Sequence, residues 1–134
     1  MGSFTIALEK FAEKAEKNAE TATRKITLDV FRGVIMKTPV ASGRARGNWQ
    51  ANIGSSASGE VDAEDKSGAV TVVKAAAECA TWNPAAGPIF LTNNLPYIER
   101  LENGYSKQAP AGMVAVTIAE FGGIADDAAQ EVNR

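Results

Sequence analysis

The side chains able to do chemistry in this chain are mainly carboxylates, because histidine is absent and cysteine occurs once. The lack of histidine removes the most common general base and transition-metal ligand, and with it the Ser-His and Cys-His nucleophile pairs. Cys79 stands in an Ala-rich stretch, which is more typical of a small buried apolar residue than of a nucleophile. A single cysteine forms neither an intrachain disulfide nor a cysteine zinc site. The sequence therefore predicts no catalytic, cofactor-binding or metal site.

Two carboxylates, Glu99 and Glu102, are three residues apart in a segment that predicts a short helix. Both would share one helical face. Paired carboxylates hydrolyse glycosidic bonds when they face each other across a substrate cleft at a defined separation. Neighbours on one face are more often solvated or paired with a cation, here Arg100 or Lys107. A small carboxylate hydrolase is therefore the weakest of the functional hypotheses.

A second acidic group, Glu60, Asp62, Glu64 and Asp65, alternates like the first half of a calcium loop. The sixth position of that loop is Asp65 where glycine is needed, and the twelfth is Thr71 where glutamate is needed. The favoured interpretation is a solvated acidic loop. The GxxxxGK[ST], GxGxxG and GxSxG motifs are also missing from the sequence.

Basic residues are concentrated between positions 24 and 46, where Asp29 alone opposes them in sequence: Arg24, Lys25, Arg32, Lys37, Arg44 and Arg46. Such a basic patch can bind DNA phosphates or an acidic protein surface. It lacks the row of aromatic side chains that a stacking platform for single strands needs. The formal net charge of −2 also gives no global attraction to DNA. Contact with protein is the favoured hypothesis, and contact with DNA is the alternative.

The element expected to carry the start of this patch is a long N-terminal helix over residues 4–37. Apolar or small residues recur there every three or four positions, and Pro39 ends the pattern. These positions are Phe4, Leu8, Phe11, Ala15, Ala19, Ala22, Ile26, Val30 and Val34. Because the seam is Ala-rich between Phe11 and Ile26, a sheet or a neighbouring subunit could approach the helix closely.

Shorter elements follow. Trp49, Ala51 and Ile53 alternate with polar residues and predict a half-buried strand. Residues 54–68 are rich in Gly, Ser and acid, and predict a mobile surface loop. Residues 67–82 predict a helix, although the stretch from Val70 to Val73 could begin as a strand.

Three further elements complete the chain. The sequence PIFLT predicts a short buried strand, and YIERLEN predicts a short helix with Gly104 at its C-terminal end. Residues 113–132 predict a last helix. Two features weaken that prediction. The run MVAVTI also alternates like a strand, and Gly122 and Gly123 would each destabilise the middle of a helix by about 1 kcal/mol relative to alanine.

These elements predict one α+β domain over residues 1–134, in which a small antiparallel sheet is packed by the long N-terminal helix and the C-terminal helix. A length of 134 residues with 45% hydrophobic composition fits a single core. No apolar run is long enough for a membrane span, and MGSFTIALEK lacks the basic-then-apolar order of a signal peptide. We therefore expect a protein kept in the cytoplasm until it is assembled into a larger structure.

Two segments resemble the signature elements of the tail-component, tail-completion and neck protein family of long-tailed bacteriophages. The arginine segment, residues 38–49, is TPVASGRARGNW, and the glutamine segment, residues 89–114, is IFLTNNLPYIERLENGYSKQAPAGMV. They are similar to the family patterns TPVDTGRLRxSW and YAxxLExGxSxQAPxGM, which occur in this order. The matching residues are Thr38, Pro39, Val40, Gly43, Arg44, Arg46, Trp49, Asn93, Asn94, Leu95, Pro96, Tyr97, Leu101, Glu102, Gly104, Ser106, Gln108, Ala109, Pro110, Gly112 and Met113. The departures are Ala41-Ser42, where Asp-Thr is common, and a middle segment longer than in the shortest relatives.

The resemblance implies a structural virion protein of the phage neck or head-proximal tail end, acting in tail completion, tail termination or head–tail joining, and not an enzyme. It implies a homo-oligomeric ring of about six copies, with phage connector or neck proteins and the tail tube protein as partners. Contact with packaged DNA would be incidental, and no membrane is involved. The protein would occupy the host cytoplasm before assembly and the virion afterwards. The residues predicted to form subunit or partner interfaces are Arg44, Arg46, Trp49, Glu102, Tyr105 and Gln108.

A ring also requires that two different faces of a subunit complement each other. The guanidinium groups of Arg44 and Arg46 can bind carboxylates or carbonyls of a neighbour with fixed geometry, and Glu102 is the expected partner across the boundary. The basic patch at residues 24–46 and the acidic stretch at residues 60–65 are predicted to be the two faces. An alternative from a different functional class is a DNA-contacting protein of the portal or neck channel.

Overall fold

The computed structural model describes residues 4–7 and 17–132. The helices are α1 (Lys17–Lys37), α2 (Arg44–Gly47), α3 (Ala69–Thr81), α4 (Ile98–Glu102), α5 (Val114–Ala119) and α6 (Phe121–Val132). The strands are β1 (Phe4–Ala7), β2 (Gln50–Ile53) and β3 (Ile89–Asn93), and a 3-10 helix covers Pro84–Ala86 before β3.

The three strands form one antiparallel sheet in the order β1-β3-β2. In the pairing with β2, Gln50 lies opposite Thr92 and Ile53 lies opposite Ile89. The short apolar run IFLTN suits the central position, because Leu91 is fully buried there. The end of β3 leads directly into α4, so the sheet positions the start of the glutamine segment.

Helix α1 forms the spine of the core, with Val30, Phe31, Val34 and Ile35 buried at helical spacing. It packs against α3, α5 and α6. The same core contains Leu91 of β3 and Ile98 of α4. The predicted α+β class is confirmed: a small antiparallel sheet packs against helices, with α3 in contact with β2, and a long N-terminal helix is present.

The predicted helix over residues 4–37 is wrong at its beginning. Residues 4–7 form β1, which pairs with β3, and the helix is present from Lys17 to Lys37. Residues 8–16 of the prediction lie outside the described residues. Thr5 and the β-branched Ile6 accept a strand as readily as a helix, so the pairing with β3 decides their conformation.

The predicted C-terminal helix is interrupted. It is two helices, α5 and α6, which meet at Glu120. Gly122 and Gly123 lie in the first turn of α6, so the two glycines fall next to the break rather than in the middle of one long helix.

The other predicted elements are confirmed within one or two residues at each end: β2, α3, β3 and α4. Residues 54–68 contain neither helix nor strand, as expected of a loop. Within the described part of the chain, no helix is both long and apolar enough to cross a membrane.

Candidate interaction site

The arginine segment and the glutamine segment contact each other directly. The backbone N–H of Val40 donates to Oε1 of Gln108 at 2.8 Å, and Nε2 of Gln108 donates to the carbonyl of Val40 at 3.0 Å. The amide side chain thus pairs with a backbone unit 68 positions away in the way that a neighbouring strand would. The two segments that carry the resemblance therefore form one site.

A third hydrogen bond joins the same segments inside the core. Asn93, at the end of β3, is fully buried and donates from Nδ2 to the carbonyl of Ala45 at 3.0 Å. Its Oδ1 accepts the backbone N–H of Leu95. A buried amide with both ends bonded holds its neighbours in one arrangement, so α2 is fixed against the start of the glutamine segment.

Between the two segments lies an apolar cleft of about 280 Å³, lined by Pro39, Val40, Ala41, Ser42, Gly43, Arg44, Ala45, Tyr97, Leu101, Tyr105, Ser106 and Gln108. Ala45 and Leu101 belong to the hydrophobic core, whereas Tyr105 is 71% exposed. The guanidinium carbon of Arg100 lies 5.2 Å from the centre of the Tyr105 ring, within cation–π range. The cleft thus brings together Arg44, Tyr105 and Gln108 of the predicted interface residues.

Arg46 is used within the subunit. Its three guanidinium nitrogens donate to the carbonyls of Thr38 at 2.9 Å, Lys66 at 2.8 Å and Met36 at 2.8 Å. The carbonyl of Met36 lies in the last turn of α1 and that of Thr38 directly follows the helix, where helix geometry leaves acceptors unpaired. Arg46 therefore ends α1 and ties it to the loop before α3.

Trp49 is also used within the subunit. Its side chain is 4% exposed, and Nε1 donates to Oγ1 of Thr38 at 2.8 Å. The Thr38 hydroxyl in turn donates to the carbonyl of Val34. Because almost none of its surface is accessible, Trp49 packs the interior and leaves no area for the partner contact that the sequence predicted.

Glu102 caps a helix. Its Oε1 accepts the backbone N–H groups of Met113 at 2.8 Å and Val114 at 2.9 Å, and its Oε2 accepts that of Ala115 at 2.9 Å. These are the unpaired donors at the beginning of α5, and a carboxylate is favoured there. The cross-subunit role predicted for Glu102 competes with three bonds inside the chain.

The same hydrogen bonds of Glu102 weaken the hydrolase hypothesis. The Glu102 carboxylate is held by backbone donors, while Glu99 is exposed on α4. None of the residues lining the cleft is Asp or Glu, whereas two facing carboxylates are what glycoside hydrolysis requires.

The prediction that the basic patch and the acidic stretch are two separate faces is wrong. Nη2 of Arg44 lies 2.6 Å from Oε1 of Glu60, and the backbone N–H of Asp65 donates to the carbonyl of Gly43. The chain folds the loop of residues 54–68 back onto α2. The two stretches are therefore neighbours within one subunit, and their charges partly cancel there.

The basic patch is also less free than its sequence suggests. All of its members except Arg32 bind an acidic side chain or backbone carbonyls: Arg24 binds Glu20 and the carbonyl of Trp82, Lys25 binds Asp29 and Glu131, and Lys37 binds Glu120. Within residues 24–46 Asp29 is the one acidic residue, but the fold also brings Glu131 of α6 and Glu120, which follows α5, next to these cations. This neutralisation weakens the case for DNA phosphate contacts.

Asp65 corrects the interpretation of a fully solvated acidic loop. It is buried, and its carboxylate accepts the backbone N–H of Gly68 and both the N–H and the hydroxyl of Thr71, which places it at the beginning of α3. Burial opposes ionisation, yet the hydrogen bonds from Thr71 and Gly68 outweigh it and hold the pKa of the Asp65 carboxyl below its usual value.

Cys79 has the environment of an apolar residue. It is buried in the face of α3 that packs on the core. Burial, with a smaller effect from Glu78, raises the pKa of its thiol to about 12, so the reactive thiolate is scarce at neutral pH. Among residues 4–7 and 17–132, no group of three or more His, Cys, Asp or Glu side chains is arranged to hold a metal ion.

Comparison with known proteins finds no matching family model, no similar curated protein and no similar solved structure. The site therefore has to be interpreted from its own geometry. The sequence predicted Gln108 as an interface residue, whereas the structure shows its amide paired with Val40 of the same chain; the roles of Val40 and Asn93 were not predicted. The available signal was that the glutamine segment carries several side-chain amides, Asn93, Asn94, Asn103 and Gln108, which can bind backbone groups.

Proposed function

We propose that this chain is a structural virion protein of the neck or head-proximal tail end of a long-tailed bacteriophage, in which it acts as a ring subunit. Its role there is tail completion, tail termination or head–tail joining. The observation that carries the proposal is the joining of the two family-like segments into one site, through Gln108 with Val40 and through Asn93 with Ala45. Segments that serve one function are expected to meet in space.

The chemistry of the cleft supports binding rather than catalysis. Its walls are mainly apolar, it lacks carboxylates among its lining residues, and its rim presents Tyr97 and Tyr105. Arg100 stacks on Tyr105. Tyrosine and arginine are enriched in the parts of protein interfaces that carry most of the binding energy, so another protein is the favoured occupant.

The proposed partners are further copies of the chain in a ring of about six subunits, the connector or neck proteins on the head side, and the tail tube protein on the other. The protein would be made in the host cytoplasm and then incorporated into the virion. Contact with packaged DNA would be incidental, because most cations of the basic patch already bind acidic or carbonyl groups.

The proposal is tested on particles produced from the genome that encodes the chain. Gold-labelled antibody against the protein should bind at the junction of head and tail in negative-stain images, and particles made without the gene should show unjoined heads and tails. Purified particles that lack the protein, or label found elsewhere on the particle, would refute the assignment.

The DNA hypothesis has its own assay. Retention of duplex DNA by the purified protein should be weak and should vary little with salt, since few free cations are available to displace counterions. Strong retention with a steep salt dependence that Arg32→Ala reduces would favour the DNA-contacting alternative instead.

A further inference from the structure

We propose that the cleft of one copy receives the α5–α6 ridge of the next copy, with Ile118 entering the cleft. We use the name ridge for the exposed residues Ala115, Ile118 and Ala119 of α5 and Gly122, Asp126 and Asp127 of α6. This inference rests on the proposed ring function and identifies the two surfaces that would close the ring.

The cleft supplies an apolar depression, and the cations Arg100 and Lys107 are next in sequence to its lining residues Leu101, Ser106 and Gln108. It offers about 280 Å³ of space, and Tyr105 stands at its edge. Among the described residues, Arg100 and Lys107 have no carboxylate within 4.0 Å, in contrast to the paired Arg44. The occupant should therefore be apolar and flanked by acid.

The ridge has the complementary character. Ile118 is 58% exposed although it is a large apolar side chain, and its neighbours Ala115 and Ala119 are exposed and small. A Cβ added at Gly122 would meet no atom within 4 Å, so a partner can approach the backbone there. Further along α6, Asp126 and Asp127 are exposed.

Charge completes the complementarity. No cation of the described chain lies within 4.0 Å of Asp126 or Asp127, whereas Glu120 and Glu131 are paired with lysines. Within the described part of the chain, two carboxylates of the ridge and two cations beside the cleft thus have no ion-pair partner, and they are opposite in sign. Such an arrangement favours contact between different surfaces and disfavours contact of either surface with itself.

Another exposed apolar surface fits the cleft less well. Helix α3 presents Val70 and Val73, and Val73 is 66% exposed. However, the neighbouring exposed residue is Lys74, which has the same sign as Arg100 and Lys107. The α3 surface is therefore the natural control.

Because the cleft and the ridge are different surfaces of one chain, the contact is heterologous. Heterologous contacts form a ring when the rotation between successive copies closes, and a filament when it does not. A self-complementary dimer would instead bring the same surface together twice. This difference can be measured with engineered cysteines, since the Cys79 thiol is buried.

The experiment mixes Tyr105→Cys protein with Ile118→Cys protein under mild oxidation and resolves disulfide-linked dimers on non-reducing gels. We expect linkage in the mixture and little in either variant alone. The matched control mixes Tyr105→Cys with Val73→Cys, which should link no more than random collision allows. Equal linkage in both mixtures, linkage in a single variant alone, or no linkage at all would overturn the proposal.

A charge exchange gives an independent test. Arg100→Glu should weaken self-association by about tenfold or more, and adding Asp126→Arg and Asp127→Arg should restore much of the loss. If the wild type forms rings, but the charge variants associate normally and no disulfide links form, the proposed contact is overturned and the ring function still stands. Wild-type protein that stays monomeric would also overturn the contact, while labelling at the head–tail junction would still uphold the virion role.

Discussion

At the residue scale, the polar side chains of the two segments act on backbone groups. Arg46 binds carbonyls at the C-terminal end of α1, Glu102 binds N–H groups at the beginning of α5, and Gln108 pairs with Val40. Unpaired backbone groups are costly when buried, so each of these side chains stabilises a turn that would otherwise depend on water. The types of these residues are therefore explained by the fold of one subunit before any partner is considered.

Replacing Glu102 tests this role. Glu102→Ala removes the acceptors for three N–H groups of α5, and we expect the free energy of unfolding to fall by about 2 kcal/mol. Urea unfolding followed by circular dichroism measures the change. The control is Glu99→Ala on the same short helix, which is exposed and should change stability by less than about 0.5 kcal/mol. Equal losses from the two variants would contradict the capping role.

Asp65 gives a pH-dependent prediction. The pKa of its carboxyl is lowered in the folded chain from the ordinary value of 3.8, so the unfolded state binds the proton more readily. The stabilisation is therefore complete well above pH 3.8 and is lost as the pH falls through the lower folded pKa. Asp65→Asn should reduce stability at neutral pH and flatten the decline in acid.

The measurement is the urea midpoint of the wild type and of Asp65→Asn, from neutral pH to below the ordinary carboxyl pKa. Asp62→Asn is the control, because Asp62 is exposed in the same loop. Parallel pH curves for the wild type and Asp65→Asn would show that the hydrogen bonds from Thr71 and Gly68 do not carry the effect.

At the element scale, tight backbone approaches explain the glycines of the glutamine segment. Gly104 and Gly112 both have positive φ, and a Cβ at Gly112 would come within 2.5 Å of the Glu102 carbonyl oxygen. At Gly104 the added Cβ would collide with the carbonyl of Pro110. The loop between α4 and α5 is therefore folded closely over the end of α4, which is how Glu102 reaches the beginning of α5.

Gly112→Ala should thus be costly. The positive φ and the backbone collision together should lower the free energy of unfolding by about 2–3 kcal/mol. Gly123→Ala is the matched control, because a Cβ there meets nothing within 4 Å and alanine is the better helix former, so α6 should gain up to about 1 kcal/mol. Differential scanning calorimetry distinguishes the two, and a neutral Gly112→Ala would contradict the described loop.

The helices and strands with a clear local sequence pattern were predicted correctly. Helix α3 and strand β3 each have a periodicity and flanking breakers within a few residues. Strand β1 was missed because its partner is far along the chain, and Thr5 and Ile6 do not distinguish helix from strand. The break at Glu120 was indicated by the two glycines that follow, but its position depends on packing against α1.

The sequence predicted which residues could belong to an interface, but not what each of their side chains contacts. Arg44, Tyr105 and Gln108 line the cleft, although Gln108 also binds the backbone of Val40 in its own chain. Arg46, Trp49 and Glu102 bind or pack within the subunit. Whether a polar or aromatic side chain faces a partner or its own backbone depends on tertiary contacts such as that of Trp49 with Thr38. Sequence spacing does not contain that information.

At the scale of the whole molecule, the combination of an apolar cleft and an exposed apolar ridge leads to a prediction about assembly. Light scattering with negative-stain imaging over a wide concentration range should show closed rings of about six copies. Because the proposed contact pairs exposed charges around an apolar centre, added salt should weaken it only modestly. Ile118→Asp should weaken it far more, because a carboxylate would enter the apolar cleft. If Ile118→Asp leaves the rings unaffected, the subunit boundary lies on another surface. If moderate salt alone abolishes association, charge rather than burial of Ile118 holds the copies together.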